Sequence, residues 1–276
     1  MQFNLTLAQM DIVFGDPESN YTCAASLVAQ AAEGGSQLVL LPELWSTGYD
    51  LPNWNQHASR LNEGMFARMA DLAKHHQIAV GGSLLETLDG RAYNTFVLFD
   101  AKGDLVGCYR KVHLFRLMDE HLWLSAGDRL ALCQLDLPGL DQPLRLGLAI
   151  CYDLRFPEIF RRYALEGASL ILLPAEWPAV RIQHWNTLVQ ARAIENQVFL
   201  AAANRTGHSP TDIFGGNSLA VGPWGEILAE GGEGEALLTC TIDLERVAEV
   251  RRKIPILDDR RPEVYPALLP ELDSRA

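Results

Sequence analysis

The sequence predicts an α/β fold, and three observations carry that prediction. Short apolar runs alternate with longer amphipathic segments, the mark of β and α elements following one another. The apolar runs show little alternation, so their strands are covered on both faces. The segment LVLLPELW at 38–45 returns as LILLPAEW at 170–177, each after a strand, a helix and a small-residue turn. Each is also followed by a helix and another strand, which predicts two related halves of about 130 residues. A four-layer α-β-β-α sandwich with an internal pseudo-duplication would satisfy all three. A single sheet with helices on both faces competes with it.

The elements follow in order. Strands are expected at 3–9, 37–41, 78–82, 94–99 and 105–109 in the first half, and at 144–150, 169–173, 198–203, 217–221 and 226–229 in the second. Helices are expected at 19–34, 62–76, 157–167 and 182–196. The first opens after Asp16-Pro17 and stops at Gly34-Gly35, start and stop signals respectively. The third begins on Pro157, suited to a first helical position, and ends at Gly167. The stretch 120–143 reads as a link between halves that share one core, so 1–276 reads as a single domain. After Pro255 periodicity is lost, and the tail, about 256–276, is expected to run extended over the surface or at an interface.

Composition bounds the function. Of 276 residues, 48% are hydrophobic and 21% charged, enough apolar surface to offset chain entropy. The formal charge of −12, from 35 acids against 23 bases, argues against a nucleic-acid partner. The opening MQFNLTLAQMD lacks the basic leader and apolar core of a signal peptide. No apolar run approaches the roughly 20 residues of a membrane helix, so no membrane association is expected. Five scattered cysteines without a C-x-x-C pair argue against zinc and fit a reduced, cytoplasmic setting.

Three residues could carry chemistry. Cys151 follows the apolar strand LRLGLAI and precedes a helix at Pro157, so its thiol is expected exposed on a tight turn where nearby N–H groups favour the thiolate. A buried structural thiol is the commoner fate of a lone cysteine. Glu43 closes the strand LVLLP at the carboxyl edge of the sheet, where α/β folds place ligands; the plain alternative is a solvated loop acid. Lys111, in GCYRKVHLF, sits among apolar neighbours, and a buried lysine needs a carboxylate. Otherwise it is an exposed strand-end charge. Together a carboxylate base, an ammonium and a thiol can attack a carbonyl or nitrile carbon without histidine or metal.

LLPELWSTGY, YRKVHLF and CYDLRFPE resemble, in order, the three signature stretches of the nitrilase superfamily, the carbon–nitrogen hydrolases. ARAIENQVFLAAANRTG, FGGNSLAVGPWGEILAE and IDLERVAEVRRKIP extend the resemblance over nearly the whole chain. The resemblance implies the α-β-β-α sandwich, a Glu43 base, Lys111 and a Cys151 nucleophile, with Glu120 of RLMDEHLWLSAGD as a supporting acid. It implies no cofactor, no metal, and a homodimer or larger assembly. GYDL, GPWG and the IDLERVAEVRRKIP stretch look most like the omega-amidase or small-amide branch. Another small-amide or N-carbamoyl amidase is the alternative, and a catalytically silent scaffold protein the alternative of a different class.

Other machinery is missing. No G-x-S-x-G, H-E-x-x-H or phosphate-binding glycine loop occurs. His113 and His184 are the nearest histidines for a Cys–His pair, and both fit structural roles. Tyr152, Trp177 and Arg181 are expected to bind substrate. Tyr152 could offer its backbone N–H to an oxyanion, and Arg181 a fork to a carboxylate. Arg155 is expected to pair with a local acid and hold the turn. Glu176, in PAEWP, is expected to face the pocket, where it would repel a carboxylate.

Overall fold

The computed structural model describes residues 1–265. The chain opens with β1 (Gln2–Gln9) and α1 (Pro17–Glu33), which starts as expected: Asp16 accepts a hydrogen bond from the Ser19 N–H and Pro17 takes the first turn. β2 (Leu38–Leu40), the one-turn α2 (Trp54–His57) and α3 (Gly64–His76) lead to three long antiparallel strands, β3 (Ala79–Leu88), β4 (Arg91–Phe99) and β5 (Leu105–Arg110). A one-turn α4 (Glu120–Trp123) precedes β6 (Ala131–Leu135) and β7 (Leu144–Leu148). Then come α5 (Pro157–Leu165), β8 (Leu170–Ala175), α6 (Ile182–Asn196) and β9 (Phe199–Asn204). The hairpin of β10 (Thr206–His208) and β11 (Ile213–Gly215), the strands β12 (Leu219–Val221), β13 (Ile227–Glu230) and β14 (Ala236–Asp243), and α7 (Glu245–Lys253) complete it.

Two six-stranded sheets form, in the orders β14-β1-β2-β3-β4-β5 and β13-β12-β9-β8-β7-β6. Each has three parallel strands, β1-β2-β3 or β7-β8-β9, extended by one antiparallel strand at one end and two at the other. This is the predicted duplication seen strand by strand. Period two assigns the faces. Leu38 and Leu40 of β2 join the core between the sheets, while Val39 and Leu41 pack under α1 and α3. The sheets approach so closely at Gly107 that a Cβ there would lie 2.9 Å from Cys133 Sγ of the opposite sheet. The arrangement is the α-β-β-α sandwich, not the single sheet.

Three expectations need correction. The stretch 120–143 is not merely a link, since it contains α4 and β6. ALCQL at 131–135 is too short and too close to polar flanks for its period to stand out. β14, ALLTCTID, was not anticipated because only Cys240 and Ile242 of it are fully buried; it crosses to the first sheet and pairs along all of β1. The third is α7, whose mostly charged residues bury only Val247 and Val250. Of the expected extended tail, 256–265 forms mostly turns, and 266–276 lies outside the described residues.

Candidate active site

Glu43 lies three residues beyond β2, Lys111 one beyond β5 and Cys151 three beyond β7, while Glu120 opens α4. The sandwich brings these ends together in the interior, where each of the four residues is at most 3% exposed. Lys111 Nζ donates to Glu43 Oε1 at 2.7 Å and to Glu120 Oε1 at 2.6 Å. Asn94 of β4 donates to Glu43 Oε1 at 2.7 Å, and the Glu176 backbone N–H donates to Glu43 Oε2 at 2.9 Å. Glu120 Oε2 accepts from the Phe115 N–H. The Tyr49 hydroxyl lies 2.9 Å from Glu43 and 2.7 Å from Glu120, its single proton donated to one of them. Burial works against the Lys111 ammonium, yet Glu120 and Glu43 hold its pKa above the usual lysine range. Burial raises the Glu120 carboxyl, against the pull of Lys111.

Cys151 stands at φ +43°, a backbone conformation costly for a residue with a Cβ, and opens a 3-10 turn, Cys151–Arg155. Asp153 holds that turn. It accepts from the Ile150 N–H at 2.9 Å and the Tyr109 hydroxyl at 2.8 Å, with His113 Nδ1 at 2.8 Å. His113 also stacks on Phe156, which is the structural role foreseen for it. The thiol is not exposed, and it is not a resting thiolate. Burial first, then the adjacent Glu43 carboxylate, push its pKa well above the usual thiol value, and Lys111 only partly offsets them.

Comparison with known proteins identifies the family of the whole chain. Residues 4–252 match the carbon–nitrogen hydrolase family model. The 2-oxoglutaramate amidase of Bacillus subtilis is 41% identical over 96% of this chain and all of its own. The chain belongs to the carbon–nitrogen hydrolase family. Human omega-amidase NIT2 is 34% identical over 95% of this hydrolase and 96% of its own chain. A variant of the amidase from Nesterenkonia sp. AN1, solved with acrylamide added at its active-site cysteine, superposes with a TM-score of 0.84 at 30% identity. That match covers 97% of this hydrolase and all of the amidase.

The cavity of the hydrolase beside Cys151 is walled by Phe115, Tyr152, Glu176, Trp177 and Pro178, with the half-buried Arg155 and Arg181. Arg181 lies 5.3 Å from the Phe115 ring centre, and Arg155 lies 4.8 Å from that of Trp177 and 3.3 Å from His184 Nδ1. Among the described residues neither guanidinium pairs with a carboxylate. Arg155 therefore does not hold the turn through an acid, a task that falls to Asp153. Glu176 lines the cavity as expected, but not as a free acid, because Arg205 Nη1 donates to its Oε2 at 3.0 Å. Tyr49, Asn94 and Arg205 were not singled out from the sequence. Tyr49 lay inside the LLPELWSTGY signature, and Asn94 was visible as a lone amide in the strand AYNTFVLF. Among the described residues no group of three or more His, Cys, Asp or Glu side chains is arranged to hold a metal, and no helix is long and apolar enough to cross a membrane.

Proposed function

We propose that the protein is an amidase acting on omega-amides of 2-oxo acids through a thioester at Cys151. The observation carrying this reading is the buried Glu43–Lys111–Glu120 cluster beside a cysteine whose cavity presents two carboxylate-free guanidiniums. In this reading Glu43 takes the thiol proton as sulfur attacks the amide carbon. The Lys111 ammonium and the Tyr152 N–H steady the oxyanion. The C–N bond breaks and ammonia leaves with the proton from Glu43. Water then attacks the thioester, giving its proton to Glu43, and the acid and the thiol are released. Glu120 anchors Lys111. Arg181, with Arg155, receives the substrate carboxylate as a charged hydrogen-bonding partner, against apolar walls from Trp177 and Phe115. The names of the Bacillus and human relatives support this substrate class.

The deciding experiment assays ammonia release from 2-oxoglutaramate, neutral short amides and N-carbamoyl amines. The highest kcat/KM on the oxo-acid amide is expected. A preference for neutral or carbamoyl substrates overturns the assignment within the family. The same reading takes 1–276 as one domain in the cytoplasm, which the five unpaired cysteines support. It also takes the protein as a homodimer or larger, joined through helices on one outer face, where Ile194, Trp224 and Ile254 are exposed. Light scattering that finds only monomer at micromolar concentration refutes the assembly.

A further inference from the structure

Glu176 is fully buried beside Glu43 and lines the same cavity as Cys151, yet the mechanism above does not use its side chain. Its backbone N–H holds Glu43 Oε2, while its carboxyl is turned to Arg205. Arg205 is itself buried and bound to the Ile12 carbonyl and to Asp11, which ties the first loop of the chain to the end of β9. Among the described residues Glu176 Oε1 has no hydrogen-bond partner. It lies near Gly48, where an added Cβ would be 3.6 Å away, and Gly48 spends its N–H on the Leu44 carbonyl.

The charges of this buried group do not balance. The carboxyls of Glu43, Glu120 and Glu176 face two cations, Lys111 and Arg205, with the Tyr49 and Cys151 protons in place and Asp11 half-exposed at the rim. A net buried anion is expensive, so the cluster favours one additional proton. Among the described residues Glu43 has four donors within reach and Glu120 three, whereas Glu176 has only Arg205. An oxygen without a donor costs less on a neutral acid than on an anion. We infer that Glu176 is a positioning residue for the base: its backbone N–H fixes Glu43, and its Arg205-anchored carboxyl carries the proton that keeps the buried cluster neutral. Burial accordingly raises Glu176 to about 8, with Arg205 opposing the rise and Glu43 adding to it.

The inference rests on Glu43 being the base. When Glu176 ionises it adds a negative charge that opposes the developing oxyanion, so kcat/KM should fall on the alkaline side as Glu176 loses its proton. In Glu176→Gln that fall should disappear while activity near neutrality stays within about tenfold. A profile of unchanged shape, merely scaled down, would make Glu176 structural only. Infrared difference spectra between about pH 6 and about pH 10 give a reading independent of turnover. The native protein should lose a protonated-carboxyl band that Glu176→Gln lacks. No such band in the native protein, or one that persists in Glu176→Gln, overturns the inference. Should that variant fail to fold, Glu120→Gln decides: the band must survive in it, and its loss would place the proton on Glu120. If Glu43→Gln retains full activity, the base assignment fails while the infrared result stands on its own.

Discussion

Cys151 combines two costs, a left-handed φ of +43° and a thiol held protonated by burial. The expected gain is that its proton passes straight to Glu43. Cys151→Ala should therefore abolish ammonia release while the protein stays folded by circular dichroism. Glu43→Gln should lower kcat by roughly 10²–10⁴-fold, the scale of general acid–base catalysis. The raised thiol pKa also has a pH signature. Thiolate is scarce at neutral pH and grows about tenfold per pH unit below the raised pKa. Alkylation of Cys151 in the native protein should climb steadily through pH 9, whereas a plateau near neutrality would indicate a preformed thiolate. Arg181→Ala should raise KM for a carboxylate-bearing amide by roughly 10–100-fold with less change in kcat, as befits a charged hydrogen bond made equally in ground and transition states. An unchanged KM would point to a neutral substrate. Glu43, Lys111 and Cys151 were legible because each stands at the end of an apolar strand. Asp153 and Arg205 were not, since their value lies in partners far away in sequence: Tyr109 lies 44 residues from Asp153, and Ile12 lies 193 from Arg205.

At the scale of elements, the two halves repeat even in how their helices stop. α3 ends on Gln77 at φ +53° and α6 on Gln197 at φ +52°, each leading into a parallel strand. Glutamine lacks the freedom of glycine in that conformation. Gln77 is exposed, so Gln77→Gly should stabilise by about 1 kcal/mol. For a chain of this size that raises Tm by on the order of 2 °C. Gln197 is buried and donates to the Ile254 carbonyl at 2.7 Å, tying down the end of α7. Gln197→Gly should show no such gain, and calorimetry on the pair separates the two roles. Among the elements read correctly from sequence, the strands β1, β2 and β9 are almost wholly buried and α6 buries one face. α6, expected over 182–196, has those limits, and β1, β2 and β9 fall within a residue or so of expectation. β6, β14 and α7 were missed because partial exposure or high charge blurs the apolar pattern.

At the scale of the molecule, the duplication was legible in LVLLPELW and LILLPAEW, but the exchange that joins the halves was not. No local pattern tells that Ala236–Asp243 pairs with Gln2–Gln9, in a register running from Gln2 opposite Asp243 to Gln9 opposite Ala236. A chain ended before Ala236 should leave the β1 edge unpaired and collect in the insoluble fraction; a soluble, active truncation would show β14 to be dispensable. The same pairing bears on synthesis. β1 leaves the ribosome long before β14, its partner in the sheet. Until β14 has emerged the first sheet thus presents an open hydrogen-bonding rim to whatever strand comes near, including β1 of another nascent copy. Emergence of β14, rather than formation of the catalytic cluster, marks the moment this protein becomes safe from its neighbours on the same polysome.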